Sequence, residues 1–262
     1  FGIMYNQRTN PMYQKIRHLV QSGELGNLKR VQWTVTSWYR PQAYHNSSSW
    51  RSTWAEEGGG TLINQNPHQL DLWQWMFGMP SEIMSFVSFG KYYNIETEDD
   101  VTAYFKYDNG LTGTYITSTG EAPGTNRLEI AADMGKIVAE GDQLVFYRNV
   151  ESERAFNEHN TRPFGSPENW RCEIPVGKTC EQHKGIFKNF AAHVLDGEPL
   201  LAPGEEGIYG LTISNAIHYS AWTGGWTNVK QFPHDDFYRL LQEKIQNSTF
   251  KKAAVQKREN VD

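Results

Sequence analysis

Apolar residues recur along the chain with two different periods, and the change of period marks the predicted elements. The first apolar positions are three to four residues apart and follow Asn10 and Pro11, a pair typical of a helix start. From Val31 to Thr36 apolar and polar residues alternate strictly, which predicts a strand with one solvent-facing side. Residues 41–60 show no period, and an unpatterned loop of this length is often functional.

The segment 61–77 returns to a helical pattern that Pro67 interrupts. Either the proline kinks one helix, or Asn66 caps a second helix that begins at Pro67. Short alternating segments follow over 101–147, with a strong hairpin signal, Asp-Asn-Gly, at 108–110. Because no helical pattern separates these strands, we expect them to pair in a mainly antiparallel sheet.

Three apolar stripes at helical spacing close the chain, at 187–194, 208–217 and 237–245. The preceding residues 150–178 are polar and poorly patterned. This order of elements is typical of the α+β class. We therefore predict an open, predominantly antiparallel β-sheet with helices packed on one face. We expect one domain over residues 1–250 and a charged tail over 251–262.

Composition excludes several classes of protein. The 262 residues include 30 acidic and 25 basic side chains, and the resulting charge of −5 argues against a general nucleic-acid binder. No apolar run approaches the roughly 18 residues of a membrane span. Two cysteines, Cys172 and Cys180, favour free thiols in a reducing compartment, and their spacing suggests no metal site. Since no secretory leader is visible, we expect a cytoplasmic protein.

The candidate chemistry lies in residues 58–71, which open with three glycines and contain Asn64 and His68. A helix would place these two side chains on one face. An imidazole can accept or donate a proton near neutral pH, and an amide one turn earlier could orient it or a substrate hydroxyl. The alternative interpretation is a hydrogen-bonded buried histidine and an asparagine that caps a helix.

The motif Gly-Gly-Gly-x-Leu-x-Asn-Gln-x-x-His-x-x-Asp, followed by Trp-Met-Phe-Gly-Met-Pro at 75–80, resembles the C-terminal domain of the Gfo/Idh/MocA oxidoreductases. The family includes inositol dehydrogenase. Further segments are similar to the family in the same order, at 6–13, 22–26 and 99–103. The resemblance covers about residues 1–226.

This resemblance implies an oxidoreductase that acts on a CH–OH group of a sugar or cyclitol with NAD or NADP. In the family, an N-terminal Rossmann domain binds the dinucleotide and ends in a Glu-Lys-Pro motif, and this sequence contains neither that motif nor the glycine fingerprint. The chain also opens inside an apolar stretch at Phe1. We therefore expect the substrate-binding and oligomerisation half of a dehydrogenase, inactive without its cofactor domain.

The resemblance also implies roles for particular residues. His68 is the acid–base residue, and Asn64 stands where many members have aspartate. Asn6, Gln7 and Arg8 lie where the family contacts its substrate, although Arg8 could equally form a structural ion pair.

The unpatterned loop supplies further candidates. Tyr44, Trp50 and Arg51 combine aromatic faces with a bidentate donor, as sugar sites often do. The alternative is that Trp50 packs the loop against the core and Arg51 forms an ion pair with a neighbouring glutamate. Gln65 could reach the substrate or the nicotinamide.

Two other functions stay open at this point. The chain could be a stand-alone carbohydrate-binding and dimerisation module, which would bind a sugar without any nucleotide. It could also belong to an NAD-dependent glycosidase of the same superfamily, which would release an aglycone. As partners we expect a small sugar or polyol and further copies of the chain, in a homodimer or homotetramer through the open sheet face, with neither nucleic acid nor membrane.

Overall fold

The computed structural model describes residues 1–177 and 179–251. The strands are β1 (Leu28–Val35), β2 (Glu82–Phe89), β3 (Glu98–Lys106), β4 (Thr112–Ser118), β5 (Asn126–Ala132), β6 (Gly135–Glu140), β7 (Gln143–Asn149), β8 (Asn169–Glu173) and β9 (Thr227–Asn228). The α-helices are α1 (Pro11–Gln21), α2 (Gln42–His45), α3 (Pro67–Phe77), α4 (Glu153–His159), α5 (Gln182–Asp196), α6 (Gly207–Thr223) and α7 (His234–Gln246). Short 3-10 turns lie at Asn6–Thr9 and Gly204–Glu206, and a π-helix at Thr61–Gln65. Of the predicted charged tail, all but Lys251 lies outside the described residues.

The nine strands of the described residues join one open sheet in the order β8-β7-β6-β5-β1-β4-β3-β2-β9. Strands β1 and β4 pair in parallel, and every other pair of neighbours is antiparallel. The predicted hairpin joins β3 to β4, where the Gly110 N–H donates to the Tyr107 carbonyl at 3.1 Å and Gly110 has a φ of 86°. These observations confirm the predicted fold class.

One face of the sheet is buried beneath helices because apolar side chains alternate along the central strands. Trp33 of β1 and Phe105 of β3 both point to this face and are fully buried. Trp73 of α3 packs on both rings, with centroids 6.5 Å and 4.8 Å away. This packing fixes α3 across the middle of the sheet, and the helix carries His68 in its first turn.

The interruption at Pro67 separates two helical segments rather than kinking one. The π-helix ends at Gln65 and α3 begins at Pro67, as in the second predicted alternative. The side chain of Asn66 does not cap α3, because its oxygen accepts from the Tyr115 hydroxyl at 3.2 Å while its amide donates to the Thr117 hydroxyl at 2.8 Å. Asn64 and His68 therefore lie on different helical segments, and the spacing argument for a shared face does not apply to them.

Several elements have no counterpart in the predicted pattern, among them β2, β8 and α4. Strand β2 is apolar on both faces, with Phe86 71 % exposed on the open side, so strict alternation is missing. Strand β8 and helix α4 lie in the segment interpreted as unpatterned; β8 is an exposed edge strand and α4 buries no side chain.

Both cysteines are free, as expected. Among residues 1–177 and 179–251, none of the helices combines the length and the apolar character of a membrane span.

Candidate active site

Glu98 of β3 holds the turn from which the π-helix begins. Its carboxylate accepts hydrogen bonds from the backbone N–H groups of Gly60, at 2.9 and 3.0 Å, and of Leu62, at 2.9 Å. A Cβ atom on Gly60 would stand 2.6 Å from the Glu98 carbonyl oxygen, so only glycine fits there. This glycine therefore serves a close contact within the protein rather than with a ligand.

The same carboxylate meets a buried histidine of α6. Glu98 Oε2 lies 2.9 Å from His218 Nε2, and both side chains are at most 1 % exposed. Burial raises the pKa of Glu98, but His218 and the N–H donors oppose this and hold that pKa below its ordinary value. Glu98 thus ties β3, the glycine turn and α6 together behind the segment that carries Asn64 and His68.

His68 is half-buried at the start of α3. The Tyr5 ring stands edge-on to the imidazole, with centroids 6.3 Å apart. Nδ1 of His68 is buried and has no hydrogen-bond partner among the described residues. Burial lowers the pKa of His68 below its ordinary value, against the attraction of Asp71. A neutral imidazole with an unpaired nitrogen is suited to accept a proton.

Arg8 is fully buried in an ion-pair cluster behind His68. Its Nε and Nη2 donate to Asp71 at 2.9 and 2.5 Å, and its Nη1 donates to Glu206 at 2.5 Å and to the Leu201 carbonyl at 2.9 Å. All three guanidinium nitrogens therefore have acceptors inside the protein. The structure shows the ion-pair alternative for Arg8, and Arg8 does not line the cavity described next.

A cavity of about 630 Å³ opens beside His68. Of the predicted substrate residues, Asn6 and Gln7 line it. Other lining residues come from distant segments: Asn10, Trp38, Gln69, Asn126, Asp142, Cys180 and Gln182. Sequence patterns could not find this set, because only the packing of α1, α3 and β5 brings it together.

The remaining predicted substrate residues form a second cluster. Arg51 lies between Tyr44 and Trp50, with its guanidinium carbon 4.4 and 4.3 Å from the two ring centroids. It also donates to the Tyr44 hydroxyl at 2.5 Å, and Gln65 donates to the same oxygen at 3.0 Å. The structure brings these four residues together, and none of them lines the cavity beside His68.

Asn64 contacts a carboxylate that sequence reasoning missed. Its Nδ2 donates to Glu57, whose other carboxylate oxygen accepts the Ser52 N–H. Burial raises the pKa of Glu57, although both hydrogen bonds oppose the shift. With Nδ2 held by Glu57, Oδ1 of Asn64 is the atom able to accept a further hydrogen bond. The only signal in the sequence was an acidic residue inside the unpatterned loop.

Neither a metal nor a dinucleotide fits the described residues by themselves. Across residues 1–177 and 179–251, no cluster of three or more His, Cys, Asp or Glu side chains could hold a metal ion. The parallel strands β1 and β4 are separated by two further strands and several helices, so they form no simple βαβ unit with a glycine-rich turn. The described part of the chain therefore lacks the glycine-rich turn that usually binds a pyrophosphate.

The fold is that of solved oxidoreductases. The WlbA dehydrogenase from Bordetella pertussis, in complex with NADH and UDP-GlcNAcA, superposes with a TM-score of 0.70 at 20 % identity, over 87 % of this chain and 62 % of that one. An aldose–aldose oxidoreductase from Caulobacter crescentus, complexed with glycerol, superposes with a TM-score of 0.67 at 18 % identity, over 87 % of this chain and 63 % of that one. Levoglucosan dehydrogenase, in complex with NADH and levoglucosan, superposes with a TM-score of 0.65 at 19 % identity, over 87 % of this chain and 65 % of that one.

One family model matches the sequence. Residues 13–138 match the GFO/IDH/MocA C-terminal domain, which confirms the resemblance drawn from the motifs. The chain spans less than two thirds of the length of the three similar structures. A comparison with curated protein sequences gave no match.

Proposed function

We propose that this chain is the substrate-binding part of an NAD(P)-dependent oxidoreductase that acts on a hydroxyl group of a sugar or cyclitol. The observation that carries the proposal is the placement of His68, which lies on the cavity wall with a lowered pKa. The family supports it, and so do the NADH, levoglucosan and glycerol held by similar structures.

His68 acts as the general base in the direction of oxidation. It accepts the hydroxyl proton as the C–O single bond becomes a carbonyl, and it returns that proton in the reverse direction. Oxidation of the same carbon needs a hydride acceptor, which a nicotinamide supplies when bound. Burial of His68 keeps the imidazole neutral at physiological pH, so it is ready to accept the proton.

Three other predicted site residues position the substrate in this proposal. Asn6 and Gln7 contact it from the cavity wall, and Asn64 offers its Oδ1 to a hydroxyl. The cluster of Tyr44, Trp50, Arg51 and Gln65 lies outside the cavity lining, and its role in this proposal is to hold the loop together rather than to contact the substrate. The dinucleotide is held mainly by residues outside the described ones, in an N-terminal Rossmann domain.

The test is a pair of assays with a panel of sugars and cyclitols. Protein extended by the upstream sequence encoded in its gene is expected to reduce NAD or NADP, and the 262-residue chain is expected not to. Saturable sugar binding by the chain, without turnover by the extended protein, would support the carbohydrate-binding module instead. Release of an aglycone from a glycoside would support the glycosidase.

We further propose that copies of the chain associate through the open face of the sheet. Phe86 is 71 % exposed there, and the exposed rings of Tyr104 and Trp226 pack edge to face at 6.0 Å. Exposed aromatic residues of this kind are enriched at subunit interfaces.

A further inference from the structure

We infer that the cavity beside His68 selects an uncharged, hydroxyl-rich ligand and discriminates against anionic sugars such as uronates, sugar phosphates and sugar nucleotides. The inference rests on the proposed function in one respect, which is that this cavity is the substrate site. The lining of the cavity is rich in carboxamides and poor in cations.

Carboxamides dominate the polar lining. Six of them border the cavity: Asn6, Gln7, Asn10, Gln69, Asn126 and Gln182. Each carries a donor and an acceptor, as a hydroxyl group does. The oxygens of Asn10 and Asn126 already accept the Met12 N–H and the Trp33 indole N–H, which leaves Asn6, Gln7, Gln69 and Gln182 to pair with a polyol in either sense. Asn6 Oδ1 and Gln69 Oε1 are buried without partners in the described structure, and a half-turn of either amide exchanges its oxygen and nitrogen.

Cations are missing where an anion would need them. The described lining includes no lysine or arginine, and Asp142 is its one carboxylate. Carboxylates and phosphates in protein sites are usually held by arginine or lysine through charge-assisted hydrogen bonds. Arg8 cannot serve, because its guanidinium is already bonded to Asp71 and Glu206, two acids for one base.

Two cations outside the described lining need separate attention. Arg40 contacts Trp38, a lining residue, at 5.3 Å from the ring centroid, but its Nη1 donates to the Tyr39 carbonyl and its guanidinium also packs on Tyr44. Lys178 follows the lining residue Gly177 in the sequence. Both are therefore included as variants in the test.

The experiment compares glucose with glucuronate, which differ by one carboxylate, and myo-inositol with glucose 6-phosphate. Binding to the 262-residue chain is measured by saturation-transfer difference NMR, with His68→Ala and Gln69→Ala to locate the site. We expect the neutral probes to bind at least about tenfold more tightly, a difference of about 1.4 kcal/mol. The proposal fails if an anionic probe binds equally or more tightly. It fails too if neither neutral probe shows saturable binding that the two variants weaken.

A charge placed in the lining sharpens the test. Gln7→Lys is expected to raise the affinity for glucuronate relative to glucose, whereas Gln21→Lys, on the exposed side of α1, leaves the ratio unchanged. Arg40→Gln and Lys178→Gln are expected to preserve the preference for neutral probes. A wild type that prefers the anionic probes and loses that preference in either variant would show that a cation outside the described lining sets the charge selection, and would overturn the proposal.

The result is independent of whether the proposed oxidation is right. An extended enzyme that oxidises a uronate would keep the dehydrogenase function and overturn the charge selection. Neutral probes that bind at His68 without any turnover by the extended enzyme would keep the charge selection and overturn the dehydrogenase function. Charge selection would also separate this chain from the WlbA dehydrogenase, whose structure holds UDP-GlcNAcA.

Discussion

Arg8 donates two hydrogen bonds to the carboxylate of Asp71, at 2.9 and 2.5 Å, and neither side chain is more than 1 % exposed. Arg8 directly follows Gln7, which lines the cavity, and Asp71 lies three residues after His68 in α3. This buried pair therefore joins the two walls of the candidate site. Its role is to hold the substrate-binding groups in place rather than to contact the substrate.

Replacement of Arg8 should destabilise the folded protein. Arg8→Met leaves Asp71 buried without its counter-charge, and we expect the free energy of unfolding to fall by about 3–5 kcal/mol, measured by urea denaturation. Arg30→Met is the matched control, because Arg30 is exposed and its ion pair with Glu129 is worth at most about 1 kcal/mol. Equal effects of the two substitutions would contradict the assigned role.

Glu98 should make stability sensitive to acid. Its pKa in the folded protein is below the ordinary value of 4.5, so its contribution is complete above about pH 4.5 and is lost as the pH falls through the lower pKa. Glu98→Gln is expected to destabilise the protein by about 3 kcal/mol at neutral pH and to flatten the acid dependence. The measurement is urea denaturation across a pH series, with the exposed Glu82→Gln as control. An unchanged acid dependence in Glu98→Gln would refute this account.

Much of the fold could be predicted from side-chain periodicity, for a physical reason. Strands such as β1 and β3 bury one face and expose the other, so alternation marks them. Strand β2 is apolar on both faces and β8 is an exposed edge, so neither carries that signal. The β1–β4 parallel pairing joins strands far apart in sequence, and no local pattern records it.

The site was predictable in part. The motif around His68 gave the candidate base, but the role of Arg8 depended on Glu206, almost 200 residues away. Gln69 and Asn126 looked like ordinary helix and strand residues until packing placed them on one cavity. Glu57 could not be assigned because its partner depends on how the loop folds back.

The open sheet face should control association. Phe86→Asp places a charge where we propose an apolar contact between copies, and we expect a shift from oligomer to monomer in analytical ultracentrifugation. Phe187→Asp is the control, because Phe187 is a similarly exposed phenylalanine on α5 rather than on the sheet. A wild-type monomer, or an unchanged Phe86→Asp oligomer, would exclude this face as the interface.

The pH dependence of catalysis should report the environment of His68. Burial lowers its pKa, and the deprotonated form is the active base in oxidation, so the acidic limb of kcat should fall below pH 6.5, the ordinary histidine value. The rate should be constant above that limb until another group titrates. A limb well above pH 6.5 would contradict the lowered pKa of His68.

The most direct test of the central claim is the effect of His68→Ala on kcat in the extended, cofactor-binding protein with a sugar or cyclitol that the wild type oxidises. We expect a loss of roughly 10²–10⁴-fold, the usual contribution of a positioned acid–base group, with the urea midpoint nearly unchanged. His18→Ala, on the exposed side of α1, should retain wild-type kcat. A loss of less than about tenfold in His68→Ala would contradict the assignment of His68 as the general base.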